Sequence, residues 1–120
     1  MDYMRKNCSH VILENFFEPC ILFLLIEKPS YGYELTKNLK ERCGCSVNGG
    51  NLYRGLGRLV KSRNIKKKEV KSKVGPNRVM YEITTNGKEL LKDWILGLED
   101  QKNIISKLIN NYKNKYDSSR

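Results

Sequence analysis

The sequence predicts a mainly α fold with one small β-hairpin: three short helices, the hairpin, then a long C-terminal helix. Three observations carry that prediction. Apolar residues recur at helical spacing between residues 18 and 63, alternate between 65 and 84, and return to helical spacing from residue 86 onward. A basic hairpin behind a three-helix core is a winged helix-turn-helix, here followed by a long dimerisation helix.

The first helix is expected over roughly Glu18 to Lys28. Pro19 suits a first turn, the run Cys20 to Ile26 is dense enough in apolar residues for a buried helix, and Pro29 stops it. Ser30 is the expected N-cap of a second helix that carries Leu35 and Leu39 on one face and ends near Arg42, at Gly44. The third helix should cover Asn51 to Arg63, with Leu52, Leu56 and Leu59 at i, i+4 and i+7. Its entry, Val47-Asn48-Gly49-Gly50, has loop composition, and Asn64 is expected in the left-handed conformation at its end.

Ile65 to Val74 and Arg78 to Thr84 read as strands, with Val79, Tyr81 and Ile83 facing inward. Gly75-Pro76-Asn77 joins them, proline fixing the first central position of a turn and asparagine tolerating positive φ at the second. Thr84, Thr85 or Asn86 then caps a helix running to about Tyr116. Its stripe is Leu91, Trp94, Leu98, Ile105, Leu108 and Tyr112, widened by Ile95 and Ile109, with Gln101 the polar member. Thirty helical residues span roughly 45 Å, more than so small a domain can cover. A stripe that outruns its own domain implies a partner helix, and a second copy of the chain is the simplest supplier. The expected organisation is an N-terminal arm or short helix over 1–17, the winged-helix domain over 18–85, and the dimerisation helix and tail over 86–120.

At 120 residues and 14.0 kDa the chain has room for one compact domain plus one further element. No apolar run approaches the ~18 residues that span a bilayer, and the N-terminal residues lack a signal-peptide pattern, so a cytoplasmic protein is expected. The charge is informative because of where it sits. Residues 1–47 carry six acids and six bases, and residues 79–120 six acids and seven bases. Residues 48–78 hold ten bases against the single acid Glu69, so nearly all of the net charge of +10 lies in about a quarter of the chain. A block of one sign attracts a polyanion. No amphipathic anchor accompanies it, which favours nucleic acid over lipid headgroups.

Asn51, Arg54 and Arg58 cluster within about 60° of one another on the third helix, beside its leucine face. Arginine suits guanine edges and phosphates, and asparagine suits adenine, because each forms two parallel hydrogen bonds. Gly55 is placed on the same polar face, where a missing Cβ would allow close approach to DNA. A merely solvated amphipathic helix is the alternative, which the poor helix propensity of Gly55 and Gly57 weakens. Lys66, Lys67, Lys68, Lys71, Lys73 and Arg78 of the wing supply phosphate attraction, in more copies than protection of a strand edge requires. With Asn48, Tyr53 and Lys61, these residues make up the expected DNA contacts.

Three motifs resemble the PadR-like transcriptional regulators. Tyr31-Gly32-Tyr33-Glu34-Leu35 resembles the start of that family's second helix. Gly50-Asn51-Leu52-Tyr53-Arg54-Gly55-Leu56-Gly57-Arg58-Leu59 is similar to its recognition-helix pattern G-x-L-Y-x-x-L-x-R-L, and the run Gly75 to Gly87 to its wing and last-helix entry. The resemblance covers residues 20 to about 90 in order. It implies a homodimer gripped by the C-terminal helix, double-stranded DNA with an inverted-repeat operator as partner, and repression relieved by a small, often aromatic, effector near the dimer interface. Trp94 is the candidate effector contact, with packing in the dimer seam as the plainer role. Val60-Lys61-Ser62-Arg63-Asn64 departs from the family, which carries acidic residues after the Arg-Leu pair and glycine at the helix end.

Other readings are weaker. Cys43-Gly44-Cys45 with Cys8 and His10 could supply four thiolate and imidazole ligands for a metal- or thiol-responsive regulator, but the pairs lie more than 30 residues apart. With Cys20, these cysteines are expected as free thiols, and no cofactor or metal is expected. Nothing supports catalysis: one histidine, no nucleophile elbow, no phosphate-binding glycine loop. An RNA-binding basic module would want exposed aromatics among its lysines, and residues 61–78 contain none. A degenerate winged helix serving as a protein adaptor would not keep the Arg54/Arg58 face.

Overall fold

The computed structural model describes residues 16–118. Cys8, His10 and most of the N-terminal arm lie outside the described residues. Helix α1 (Phe17–Glu27) is apolar on nearly every side, and seven of its eleven residues are buried. Ile21 and Leu22 are fully enclosed, while Phe23 and Ile26 are about half exposed. At Lys28 the chain turns extended, φ −168° and ψ 152°, as a residue before proline prefers.

Ser30 is not a helix cap. With Tyr31 it forms a two-residue strand, β1 (Ser30–Tyr31), and its hydroxyl donates to the Lys28 carbonyl at 3.2 Å. The cap position of α2 (Gly32–Cys43) is Tyr31, whose N–H donates to Glu34 Oε1 at 2.9 Å. Leu35 and Leu39 are fully buried as expected, and Gly44 ends the helix at φ +65°.

Helix α3 (Gly49–Lys61) starts and stops two residues earlier than its leucines suggest. Asn48 caps it, its Oδ1 accepting from the Asn51 N–H at 2.8 Å, so two glycines of loop composition become a first helical turn. The left-handed residue after α3 is Arg63, φ +63°, not Asn64. The N–H of Asn64 returns to the Leu59 carbonyl and that of Arg63 to Val60, at 2.9 and 3.0 Å. That is the Schellman pattern, with arginine where glycine is usual.

Strands β2 (Ile65–Val70) and β3 (Arg78–Ile83) pair antiparallel from Ile65↔Ile83 to Val70↔Arg78, and β1 pairs with the other edge of β3, giving the order β1-β3-β2. β2 stops four residues short of the expected Val74. The positive φ in the connection belongs to Gly75 (+91°), not Asn77. Asn77 instead accepts the Ser72 N–H at 3.3 Å and donates to Glu69 Oε1 at 3.1 Å, a side-chain brace that closes the loop. Tyr81 is buried and Ile83 half-buried, but Val79 is exposed, because the hairpin's outer half projects past the core.

Helix α4 (Thr85–Ser118) is 34 residues long, about 51 Å at 1.5 Å per residue. Thr84 caps it: its Oγ1 accepts the Gly87 N–H at 3.1 Å and donates to the Arg63 carbonyl at 2.7 Å, tying the helix to the turn behind α3. A Cβ on Gly87 would lie 2.0 Å from the Asn64 carbonyl oxygen, so only glycine allows this crossing. Leu91 belongs to the domain's own core at 6% exposure, packed with residues from α1, α2, α3, β2 and β3. Trp94 and Leu98 are half-buried, and every described side chain after Leu98 is exposed. The helix gives the chain its extents of 68 × 30 × 21 Å.

Candidate nucleic-acid interface

The core that positions the site is the cluster around Leu35, Leu39, Leu52, Leu56 and Leu59. It fixes the rotation of α3, and that rotation decides which side chains face out. Asn51, Arg54 and Arg58 are all exposed, and an Arg54 Nη donates to Asn51 Oδ1. Two planar multi-donor groups are thus held side by side, as their spacing implies. Arg58 also reaches inward: its guanidinium lies 3.7 Å from Glu18, a mostly buried carboxylate at the start of α1.

Gly55 is not on this face. It is buried against α1, where a Cβ would meet the Phe17 ring at 2.5 Å, so its missing side chain lets α1 and α3 touch. Gly57, with open space around its Cβ direction, is the bare outward position.

Period-two geometry splits the wing's three successive lysines. Lys67 is the cross-strand partner of Tyr81 and shares its side of the sheet, turned toward α3. Lys66 faces the other way and pairs with Glu82 at 3.5 Å. Lys68 is exposed in β2, while Lys71 and Lys73 are exposed in the 71–77 loop rather than in a strand. The charge block is therefore partly offset from outside, with Glu18 on Arg58 and Glu82 on Lys66. Lys61 and Lys67 line a cleft between α3 and the wing, and Arg78 lines an adjoining cleft that shares Tyr53 and Tyr81 with it.

Aromatic residues stand beside these basic side chains too. Arg78 lies 5.7 Å from the Tyr31 ring centre and 6.0 Å from that of Tyr33, and the two rings stack 5.8 Å apart at 5°. Tyr33 and Tyr53 are 61% and 55% exposed. The fold thus brings to the lysines the aromatics that residues 61–78 lack. A linear window misses them because they arrive from α2 and α3; the paired tyrosines of the Tyr31-Gly32-Tyr33 motif were the available signal.

The cysteines form a different corner. Cys20 is buried in the core, and Cys43 and Cys45 pack against it half-buried. Burial first, and the neighbouring Cys43 second, push the Cys20 thiol up to about 12, and burial also raises Cys45. Such thiols stay protonated at neutral pH, which suits packing in the core. Among the described residues no group of three or more Cys, His, Asp or Glu side chains is placed to hold a metal ion.

Comparison with known proteins decides the family. Residues 21–93 match the transcriptional regulator PadR-like family. The chain belongs to that family. It is a transcriptional regulator and not an enzyme. A transcriptional regulator from Clostridium thermocellum has the same winged-helix fold with a TM-score of 0.74 and 31% identity, over 80% of this chain and 92% of that one. Bacillus subtilis PadR, solved in complex with operator DNA, aligns with a TM-score of 0.62 and 28% identity, over 68% of this chain and 47% of its own. An uncharacterized protein of Lysinibacillus sphaericus is 33% identical, over 69% of this chain and 82% of its own length. Among the described residues no helix is long and apolar enough to cross a membrane.

Proposed function

We propose that this PadR-like regulator acts in the cytoplasm as a homodimer, binds an inverted-repeat operator in duplex DNA, represses transcription there, and is released by a small aromatic effector. The observation that carries the reading is that α3 and the wing bring basic side chains together: Lys61 and Lys67 line the cleft between them, and Arg78 lines the adjoining one. In this reading Asn48, Asn51, Arg54 and Arg58 read base edges. Lys66, Lys67, Lys68, Lys71 and Lys73 hold phosphates without reading sequence.

Dimerisation rests on the part of α4 that leaves its own core. Ile105, Leu108, Ile109 and Tyr112 are 38%, 71%, 45% and 62% exposed, an apolar row that a second copy of α4 would cover. Trp94, half-buried where the helix departs from the domain, sits at the edge of that seam and is the effector contact of this reading. The operator relation of Bacillus subtilis PadR supports the DNA assignment by likeness. Footprinting on the DNA upstream of the protein's own gene tests it. The expected result is a protected inverted repeat whose halves lie about one helical turn apart. Protection spread evenly over all sequences would remove sequence specificity from the proposal.

A further inference from the structure

Glu18 is an acid at the back of the recognition helix. It stands in the first turn of α1, where the helix dipole suits an anion, and its side chain is only 16% exposed. A carboxylate so enclosed needs a cation. The one it has comes from another element: Arg58 Nη2 of α3 lies 3.7 Å from Glu18 Oε2.

The residue before it sets up this approach. Phe17 is buried against the bare Gly55 of α3, where a Cβ would come within 2.5 Å of the ring. That contact brings the first turn of α1 onto α3 close to Arg58, so the acid next in sequence meets the guanidinium. The same Nη2 lies 3.7 Å from the Cβ position of Gly55, which places this edge of the guanidinium over the glycine, toward α1. The arginine side chain nevertheless stays 54% exposed. Arg54 is held differently, by Asn51 of its own helix.

We infer that Glu18 is a positioning residue, which pins one edge of the Arg58 guanidinium so that the other edge reads a base instead of settling on the phosphate backbone. The inference rests on the DNA-binding reading and adds to it what directs Arg58 to a base. A guanidinium carries five donors in a planar fork, so one edge can stay on the carboxylate while another is offered outward. Leaving Glu18 for a phosphate would strand a mostly buried acid, and a phosphate brought up to the intact pair would meet the repulsion of that acid. A guanine edge offers two acceptors and no net charge, so it escapes the repulsion.

The test reads sequence preference, because Glu18 acts on it only through Arg58. Wild type, Glu18→Gln and Arg58→Lys would each select duplexes from a randomised pool. Glu18→Gln removes the anionic pin and keeps the shape; Arg58→Lys keeps the cation but has no fork to share between two partners. Wild type should enrich one base at a position where both variants lose roughly tenfold in discrimination, with the other positions unchanged. On random duplex Glu18→Gln should bind at least as tightly as wild type, since a charge that repels phosphate has gone. Thermal unfolding checks each variant. If Glu18→Gln fails to fold, Glu18→Asp, which draws the carboxylate back by one methylene, carries the same comparison. A Glu18 variant that keeps the wild-type preference at every position, whether or not it binds all duplexes more weakly, would reduce Glu18 to a structural acid and overturn the inference. Loss at a position other than the one lost in Arg58→Lys would overturn it too, leaving DNA binding intact. A wild type that enriches no sequence would instead remove the underlying reading.

Discussion

Ile105→Asp should convert the protein from a species of twice the 14.0 kDa chain mass to one of 14.0 kDa by light scattering. Ile105 touches no core of its own domain, since every described side chain beyond Leu98 on α4 is exposed in the single chain. The substitution therefore leaves each domain folded and acts only where a second copy covers the stripe. In a two-fold dimer it places two carboxylates in an apolar seam, and each unpaired buried charge costs roughly 3–5 kcal/mol. DNA affinity should fall with it, because two half-sites are then held by two independent molecules instead of one. A wild type that is monomeric at micromolar concentration would remove the dimer from this account, and the repressor geometry with it.

Arg54→Ala should cost about 1–3 kcal/mol on the operator and much less on random duplex, whereas Lys71→Ala should weaken both alike and flatten the salt dependence. Arg54 is the better test of base reading than Arg58. The spacing makes the two arginines equivalent, but the fold gives Arg58 a second partner in Glu18. Removing Arg58 would leave a mostly buried carboxylate without its cation, mixing a loss of stability into the loss of affinity. Binding isotherms for both variants on operator and random duplex measure the contrast. Equal losses from Arg54→Ala and Lys71→Ala on every sequence would leave Arg54 as a phosphate contact.

What the sequence made legible were features set by local pattern. Leu52, Leu56 and Leu59 fix the buried face of α3, and the period change at Ile65 marks the wing. Thr84 was one of three candidate caps for α4, and it is the one whose hydroxyl is used. Contacts between distant segments were not legible. Ser30 looks like a cap because of its chemistry, but the open edge of β3 recruits it into a ladder that local propensity cannot reveal. Gly55 falls near the polar face by angle alone, yet Phe17 from α1 occupies the space its side chain would need. Asn77 has the residue type for positive φ, but its amide is more useful bridging Ser72 and Glu69, which leaves that conformation to Gly75. The tyrosine set beside the wing is assembled from residues as far apart as Tyr31 and Tyr81, so no window along the chain could show it.

The basic side chains of α3 and the wing are proposed to meet duplex DNA, although exposed Tyr33 and Tyr53 stand beside them as aromatics that a single strand could stack on. The most direct measurement is a competition at physiological salt, in which a labelled duplex is displaced by unlabelled duplex or by single-stranded RNA of the same sequence. Duplex should compete far more strongly, with salt dependence reflecting several phosphate contacts per subunit. Tighter binding of the single-stranded RNA would contradict the account and make the tyrosines beside the wing a base-stacking platform instead.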